Sequence, residues 1–128
     1  QELINEKLAN ANINTEMIVY GNLPLMASSY CFLGETNKWY PDCGTNCKKN
    51  NKYYLKDRLG FNFRVVPNSI ETVTLICNSK TLSVSTKDLP VNFVRLDILD
   101  ESINEINEAV DKAYNREKLE GLQYTNGN

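Results

Sequence analysis

Phe61-Asn62-Phe63-Arg64-Val65-Val66-Pro67-Asn68-Ser69-Ile70-Glu71-Thr72-Val73-Thr74-Leu75-Ile76-Cys77 is the stretch on which the fold turns. Phe61, Phe63 and Val65 alternate with Asn62 and Arg64, the period of two that a half-buried strand shows. Pro67-Asn68-Ser69 is turn chemistry, and Thr72 to Cys77 is rich in the β-branched residues that favour a second strand. Working upstream, Tyr53-Tyr54-Leu55 predicts a strand, followed by a turn through Asp57 to Gly60. Met17-Ile18-Val19-Tyr20 predicts a buried strand closed by Gly21, and Pro24 interrupts Leu23 to Met26. Downstream, Leu82 to Val84 predicts a strand, and Phe93 to Ile98 another, with Val94, Leu96 and Ile98 on one face. Leu3, Ile4 and Leu8 predict a short helix over residues 2–10 that ends between Asn10 and Asn14. Asp100 is expected to cap a second helix, with Glu101 favoured at its positive end. Ile103, Ile106, Val110, Ala113 and Tyr114 are expected to pack its stripe into the core. The polar tail Gln123 to Asn128 is expected to fray. These elements predict an α+β fold: one domain, residues 1–128, with a small mixed or antiparallel sheet flanked by N- and C-terminal helices.

Composition narrows the chemistry. At 128 residues the chain is long enough to bury a core. With 14 Lys and Arg against 16 Asp and Glu, nothing in the balance calls for a polyanionic partner. The sequence has no histidine, so within this chain Ser–His and Cys–His nucleophiles and His-ligated zinc are excluded. No apolar run reaches the ~18 residues that span a bilayer, and the first residues lack the basic flank and apolar core of a signal peptide. A cytoplasmic protein is expected. Gln1 in place of an initiator Met points to a piece of something longer.

Three of the four cysteines, Cys31, Cys43 and Cys47, fall in residues 31–52, which read as a loop with Gly34, Pro41 and Gly44; the fourth is Cys77. A structureless loop of ~20 residues is uncommon in a compact domain, so something should organise this one. Cys43-Gly44-Thr45-Asn46-Cys47 is tight enough to supply two metal ligands around a flexible glycine. Spacing alone leaves three readings open: a metal site, buried structural thiols, or two disulfides.

Other residues carry weaker signals. Glu16 is expected to be an exposed carboxylate at a strand edge, and Asp57 to stabilise its own turn beside a solvated Arg58. Asn78-Ser79 is read as turn chemistry. An Arg95–Asp97 ion pair is not expected, because an exposed pair gains little in water. Lys48, Lys49 and Lys52 with Trp39, Tyr53 and Tyr54 mix basic and aromatic character, as nucleic-acid surfaces do, but a solvated loop face is the favoured reading of them.

Several stretches together resemble the collagenase-like peptidase family U32. Glu16-Met17-Ile18-Val19-Tyr20-Gly21-Asn22-Leu23-Pro24-Leu25-Met26 is similar to its strand ending in Tyr-Gly or His-Gly before Leu-Pro-Leu-Met. Tyr30-Cys31-Phe32-Leu33-Gly34 resembles Tyr-Cys-Pro-Leu-Gly, with Phe32 replacing proline, and Cys43 and Cys47 resemble the next two cysteines. Tyr54-Leu55-Lys56-Asp57-Arg58-Leu59-Gly60 resembles its Leu-Lys-Asp-Arg turn. Asn78-Ser79-Lys80-Thr81-Leu82-Ser83 and Arg95-Leu96-Asp97 before Asp100-Glu101 follow in order.

The resemblance covers about residues 16–114. It implies the C-terminal portion of a U32 region, a fragment of a larger TIM-barrel-containing protein. Met17 to Tyr20 would be a late barrel strand, and Gly21 to Cys47 would lie at the barrel's C-terminal face. A whole barrel needs ~250 residues, and the family's His-Gly-Ala-Leu-Cys signature is absent, so no catalytic residues are implied here and the chain alone is expected to be inactive. The parent would be a peptidase or an RNA-modifying enzyme; the alternative is a non-catalytic RNA- or protein-binding module of such an enzyme. The implied cofactor is an iron–sulfur (4Fe–4S) cluster in the parent, with zinc or no metal as the alternatives here. The implied metal ligands are Cys31, Cys43, Cys47 and Cys77. Counting from Asn78, however, the family's fourth cysteine falls at Thr72. Cys77 is five residues on, at opposite strand parity, on the face of Val73 and Leu75. Cys31, Cys43 and Cys47 are therefore expected to converge without Cys77 completing the set. Expected partners are the rest of the barrel, a protein or RNA substrate and, through exposed apolar surface, a second copy, but no membrane.

Overall fold

Alternation along residues 61–77 does produce paired strands. The computed structural model describes residues 6–7, 13–41, 43, 46–48 and 52–127. The chain groups into two units, Gln1–Asn22 with Lys80–Asn128, and Leu23–Ser79. The helix expected over residues 2–10 lies outside the described residues, except for helical Glu6 and Lys7.

The inserted unit, 23–79, is one antiparallel sheet. Its strands are β2 (Pro24–Ser28), β3 (Tyr53–Lys56), β4 (Asn62–Asn68) and β5 (Val73–Cys77), in the order β2-β5-β4-β3. Pro24 does not interrupt a strand but opens one, as proline can at a first position where no ladder donor is needed. The Asp57 carboxylate accepts from the N–H groups of Leu59 (2.8 Å) and Phe61 (2.9 Å), and so builds the β3–β4 turn. Val65, 1% exposed, is the most buried large side chain among the described residues.

The other unit is a mixed sheet in the order β7-β1-β6-β8, from β1 (Glu16–Gly21), β6 (Thr81–Ser83), β7 (Phe93–Asp97) and β8 (Tyr124–Thr125). β1 runs parallel to β7 and antiparallel to β6, and β6 runs parallel to β8. The fold is thus α+β with two four-stranded sheets, where the sequence reading expected one. Gln123 and its successors do not fray: the Gln123 carbonyl accepts from Thr81 N–H at 2.9 Å, and Tyr124–Thr125 joins the sheet. Ladder bonds outweigh the polar composition of that tail. Arg95 also departs from expectation. Its guanidinium contacts Asp97 (2.8 Å) and Glu16 (3.1 Å), because alternate residues share a strand face and β7 lies beside β1. All three side chains are 41–50% exposed, so the pairs add little stability.

After α1 (Phe32–Thr36) of the cysteine region comes α2 (Ile103–Tyr114), which belongs to this unit. Its N-cap is Ser102, not Asp100. The Ser102 hydroxyl accepts from Glu105 N–H, and the Glu105 carboxylate accepts from Ser102 N–H at 2.7 Å, a reciprocal box that satisfies two otherwise orphaned donors. The stripe is also rotated from expectation. Ala109 is buried with Tyr20 and Leu119, while Ile103 (68%), Val110 (48%) and Tyr114 (88%) stay exposed. No described helix is long and apolar enough to cross a membrane.

Tyr20 gives this core a pH limit. Burial first, then the Glu101, Tyr124 and Glu105 side chains and the hydrogen bond to Glu101, push its phenol from 10 up to about 12. The folded state holds the phenol proton more tightly than the unfolded chain does. The associated stability is therefore complete below pH 10 and is lost as pH rises from 10 to about 12. The expected loss is at most about 2–3 kcal/mol. Urea midpoints measured across that range should fall, and Tyr20→Phe should flatten the dependence; an unchanged slope in the variant would count against this account.

Candidate cysteine site

The loop expected over 31–52 holds local structure that starts at a sulfur. Cys31 is the N-cap of a one-turn helix, α1 (Phe32–Thr36), and its Sγ accepts from Gly34 N–H at 3.3 Å. Just upstream, the Ser28 hydroxyl accepts from Tyr30 N–H at 3.0 Å and turns the chain out of β2. After α1, Trp39 N–H donates to the Gly34 carbonyl at 2.8 Å and folds the chain back over the helix. The Tyr40 ring then lies against Gly34 so closely that a Cβ there would stand 2.7 Å from ring carbon Cε2. This explains a glycine at position 34 on space alone, without any need for an unusual backbone angle.

Tyr40 in turn stands near Cys31 and Cys43. Desolvation first, then the charge and hydrogen-bonding of Cys31, then the charge of Cys43, hold its phenol above the usual range. Cys43 and Cys47 follow; Asn46 N–H donates to the Cys43 carbonyl at 3.1 Å, and Cys47 lies in a 3-10 turn over Asn46–Lys48.

The opposite wall comes from the β4–β5 turn. The Asn68 side-chain oxygen accepts from the N–H groups of Ile70 (3.0 Å) and Glu71 (3.1 Å), while its amide donates to the Glu71 carboxylate at 2.9 Å. Thr72 then takes φ +54°, a left-handed conformation that β-branched residues seldom adopt. Together these pieces enclose a cavity of about 390 Å³, on whose wall stand Cys31, Cys43, Cys47, Tyr40, Asn68 and Thr72.

The structure thus divides the four cysteines. Cys31, Cys43 and Cys47 are half-buried free thiols on one cavity. Cys77 is a free thiol too, but it is buried at the far end of β5, opposite Pro24 of β2. At ~3.3 Å per residue it lies roughly 13 Å along the strand from Val73, the first β5 residue on the cavity. Burial pushes its thiol up, offset in part by the Arg64 charge. Disulfides are not formed. Among the described residues, no three cysteine or carboxylate side chains stand close enough together to hold one metal ion.

The remaining sequence candidates do not gather at this site. Asp57 serves its turn, Glu16 and Arg95 pair in the other unit, and Lys49 lies outside the described residues. Arg64 stacks over the Tyr54 ring with its central carbon 5.5 Å from the centroid, a cation–π contact on the inserted sheet. Sequence reasoning missed Tyr40 and read Thr72 only as the place where the resembled family's fourth cysteine would fall. Tyr40 left a signal in its place between Cys31 and Cys43, whereas nothing in the sequence marks a left-handed threonine.

Comparison of the chain with known proteins found no matching family model, curated protein or solved structure.

Proposed function

We propose that this chain is the cysteine-bearing portion of a U32-type, collagenase-like enzyme, and that its thiol cavity holds an iron–sulfur cluster within a larger, barrel-containing parent. One observation carries the reading. Cys31, Cys43 and Cys47, the three cysteines that match the family's order, line a single cavity, and Thr72, where its fourth would fall, lines it as well. Thiols are the donors that iron–sulfur clusters take, each sulfur meeting one iron, and three of them line this cavity.

On this reading Cys31, Cys43 and Cys47 are the ligands. Gly34 N–H donates to the Cys31 sulfur at 3.3 Å; such contacts orient a ligating sulfur and tune a metal bound to it. A bound cluster would supply electron transfer or a structural clamp. Any histidine-dependent hydrolysis would fall to groups elsewhere in the parent, since the chain has no histidine. The peptide or RNA substrate would likewise be chosen there. Anaerobic reconstitution with ferrous iron and sulfide tests the proposal. Three to about four irons per chain, with a broad band near about 400 nm, are expected. A chain that stays colourless and iron-free, or that takes up a single zinc instead, would overturn it.

A further inference from the structure

The near-even charge of the whole chain hides a division between its units. Residues 23–79 carry seven Lys and Arg against four Asp and Glu, whereas the rest of the chain carries seven against twelve. Within the basic unit, none of β2, β3, β4 or β5 bears a carboxylate. Two of its four acids are engaged in turns: Asp57 accepts from the N–H groups of Leu59 and Phe61, and Glu71 accepts from the Asn68 amide. From this we propose that one face of the β3–β4 hairpin is a docking surface for single-stranded nucleic acid. Tyr54 offers the ring on which a base stacks, and Lys56, Arg58 and Arg64 supply the positive charge that follows the phosphates.

The strand register brings these groups together. Tyr54 pairs with Arg64, and Lys56 with Asn62, across the antiparallel ladder. Cross-strand partners and alternate residues share a face, so the four side chains stand on one side of the hairpin. Arg64 is pinned there: its Nη1 donates to the carbonyls of Tyr53 (3.2 Å) and Val65 (3.0 Å), and its central carbon lies 5.5 Å from the Tyr54 ring centroid. Tyr54 keeps 53% exposure on β3, which is an edge strand of its sheet. A ring so exposed, beside a fixed guanidinium, combines the stacking and the charge that hold an unpaired strand. Arg58, in the turn that Asp57 builds, is exposed like Lys56, and no carboxylate among the described residues pairs with either. Stacking tolerates any base, so the surface holds a strand without choosing its sequence. A duplex keeps its bases stacked on one another and offers none to Tyr54. None of these residues lines the cysteine cavity, so the surface stands or falls independently of the cluster reading.

Fluorescence anisotropy of a labelled oligouridylate of about ten nucleotides, titrated with the full chain, tests the proposal. Binding is expected at low salt, with affinity falling on a log–log salt slope of about −2 for three cations on a single strand. Tyr54→Ala is expected to weaken binding about fivefold or more, and Tyr54→Phe to stay within about twofold of wild type, since the ring is what stacks. The double variant Lys56→Gln with Arg58→Gln is expected to weaken binding and to bring the slope to about −1. Lys87→Gln, in the other unit, is expected to change nothing. Circular dichroism on each variant separates lost binding from lost folding. Should Tyr54→Ala unfold, the double variant still decides through the salt slope. No binding at low salt overturns the proposal. Equal binding by a folded Tyr54→Ala, or by duplex RNA of the same length, also overturns it, because charge alone would then hold the ligand. A polyglutamate peptide that binds as tightly as the oligouridylate would make this a site for acidic protein segments instead, and the proposal would fail.

Discussion

Replacing Gly21 with alanine is expected to destabilise the chain by about 3 kcal/mol or more. Gly21 ends β1, the strand that pairs with both β6 and β7, and it faces Leu82 on one side and Asp97 on the other. Its φ is +137°, which side chains rarely adopt, and a Cβ there would stand 2.5 Å from the Asp97 carbonyl oxygen and 2.8 Å from the Asp97 Cβ. The nearest obstacle is backbone, so no rotamer change relieves it, and the strands must separate or the register slip. A slip of one residue would turn Tyr20 out of the core it shares with Ala109 and Leu119. A domain of ordinary stability has only ~5–15 kcal/mol to lose. At ~1–3 kcal/mol per molar urea, the unfolding midpoint should fall by about 1 M or more. Gly60 offers the matched control: it too has a positive φ, +91°, but its nearest obstacle is the flexible end of Lys56 at 3.9 Å. Gly60→Ala should therefore cost less than Gly21→Ala, and equal losses would mean that the Asp97 contact contributes nothing.

The second large effect concerns the cavity. Cys31→Ser, Cys43→Ser and Cys47→Ser, each alone, are expected to reduce iron uptake on reconstitution by about tenfold or more, since two thiolates rarely retain a cluster. Cys77→Ser should leave uptake unchanged, because that thiol is off the cavity. Cys31→Ser should also weaken the start of α1, where the sulfur accepts from Gly34 N–H. Iron per chain, circular dichroism and thermal midpoints, recorded together, separate ligand loss from unfolding. Full iron binding by all three cavity variants would remove the thiol site from consideration.

These residues also show what a sequence can carry. The strands around Phe63, Val65 and Leu75 were legible because alternation and β-branching act locally. The cap of α2 was legible too and was misread. Ser102-Ile103-Asn104-Glu105 is an explicit capping box, but Asp100 stood first and invited the assignment. The phase of the α2 stripe was harder. Ile103, Ile106, Val110, Ala113 and Tyr114 cover a wide arc, and only the tertiary fit of small Ala109 against Tyr20 decides which flank turns inward. Tyr124 and Thr125 pair with β6 through backbone groups, which composition does not reveal. At the site, the spacing of Cys43 and Cys47 was informative, but Cys31 lies a dozen residues away and reaches the same cavity only through the fold-back over Gly34. Thr72 ran against every local rule for its side chain, as strained positions tend to do.

The insertion of residues 23–79 between β1 and β6 has a kinetic meaning. Tyr20 pairs with Ser83, so the mixed sheet must close a loop of some sixty residues before its central ladder forms. The two ends of the insert bind one another: Asn78 N–H donates to the Leu23 carbonyl at 2.9 Å, and Pro24 sits opposite Cys77. Once the antiparallel sheet has formed, the effective loop shrinks to a few residues, and the closure entropy falls by roughly 2–3 kcal/mol. The interior segment should therefore act as its own chaperone, gathering the flanking strands by folding ahead of them. Pulse-labelled hydrogen exchange should protect amides of Val65 and Ile76 before those of Tyr20 and Leu82; the reverse order would mean that the outer sheet closes its long loop unaided.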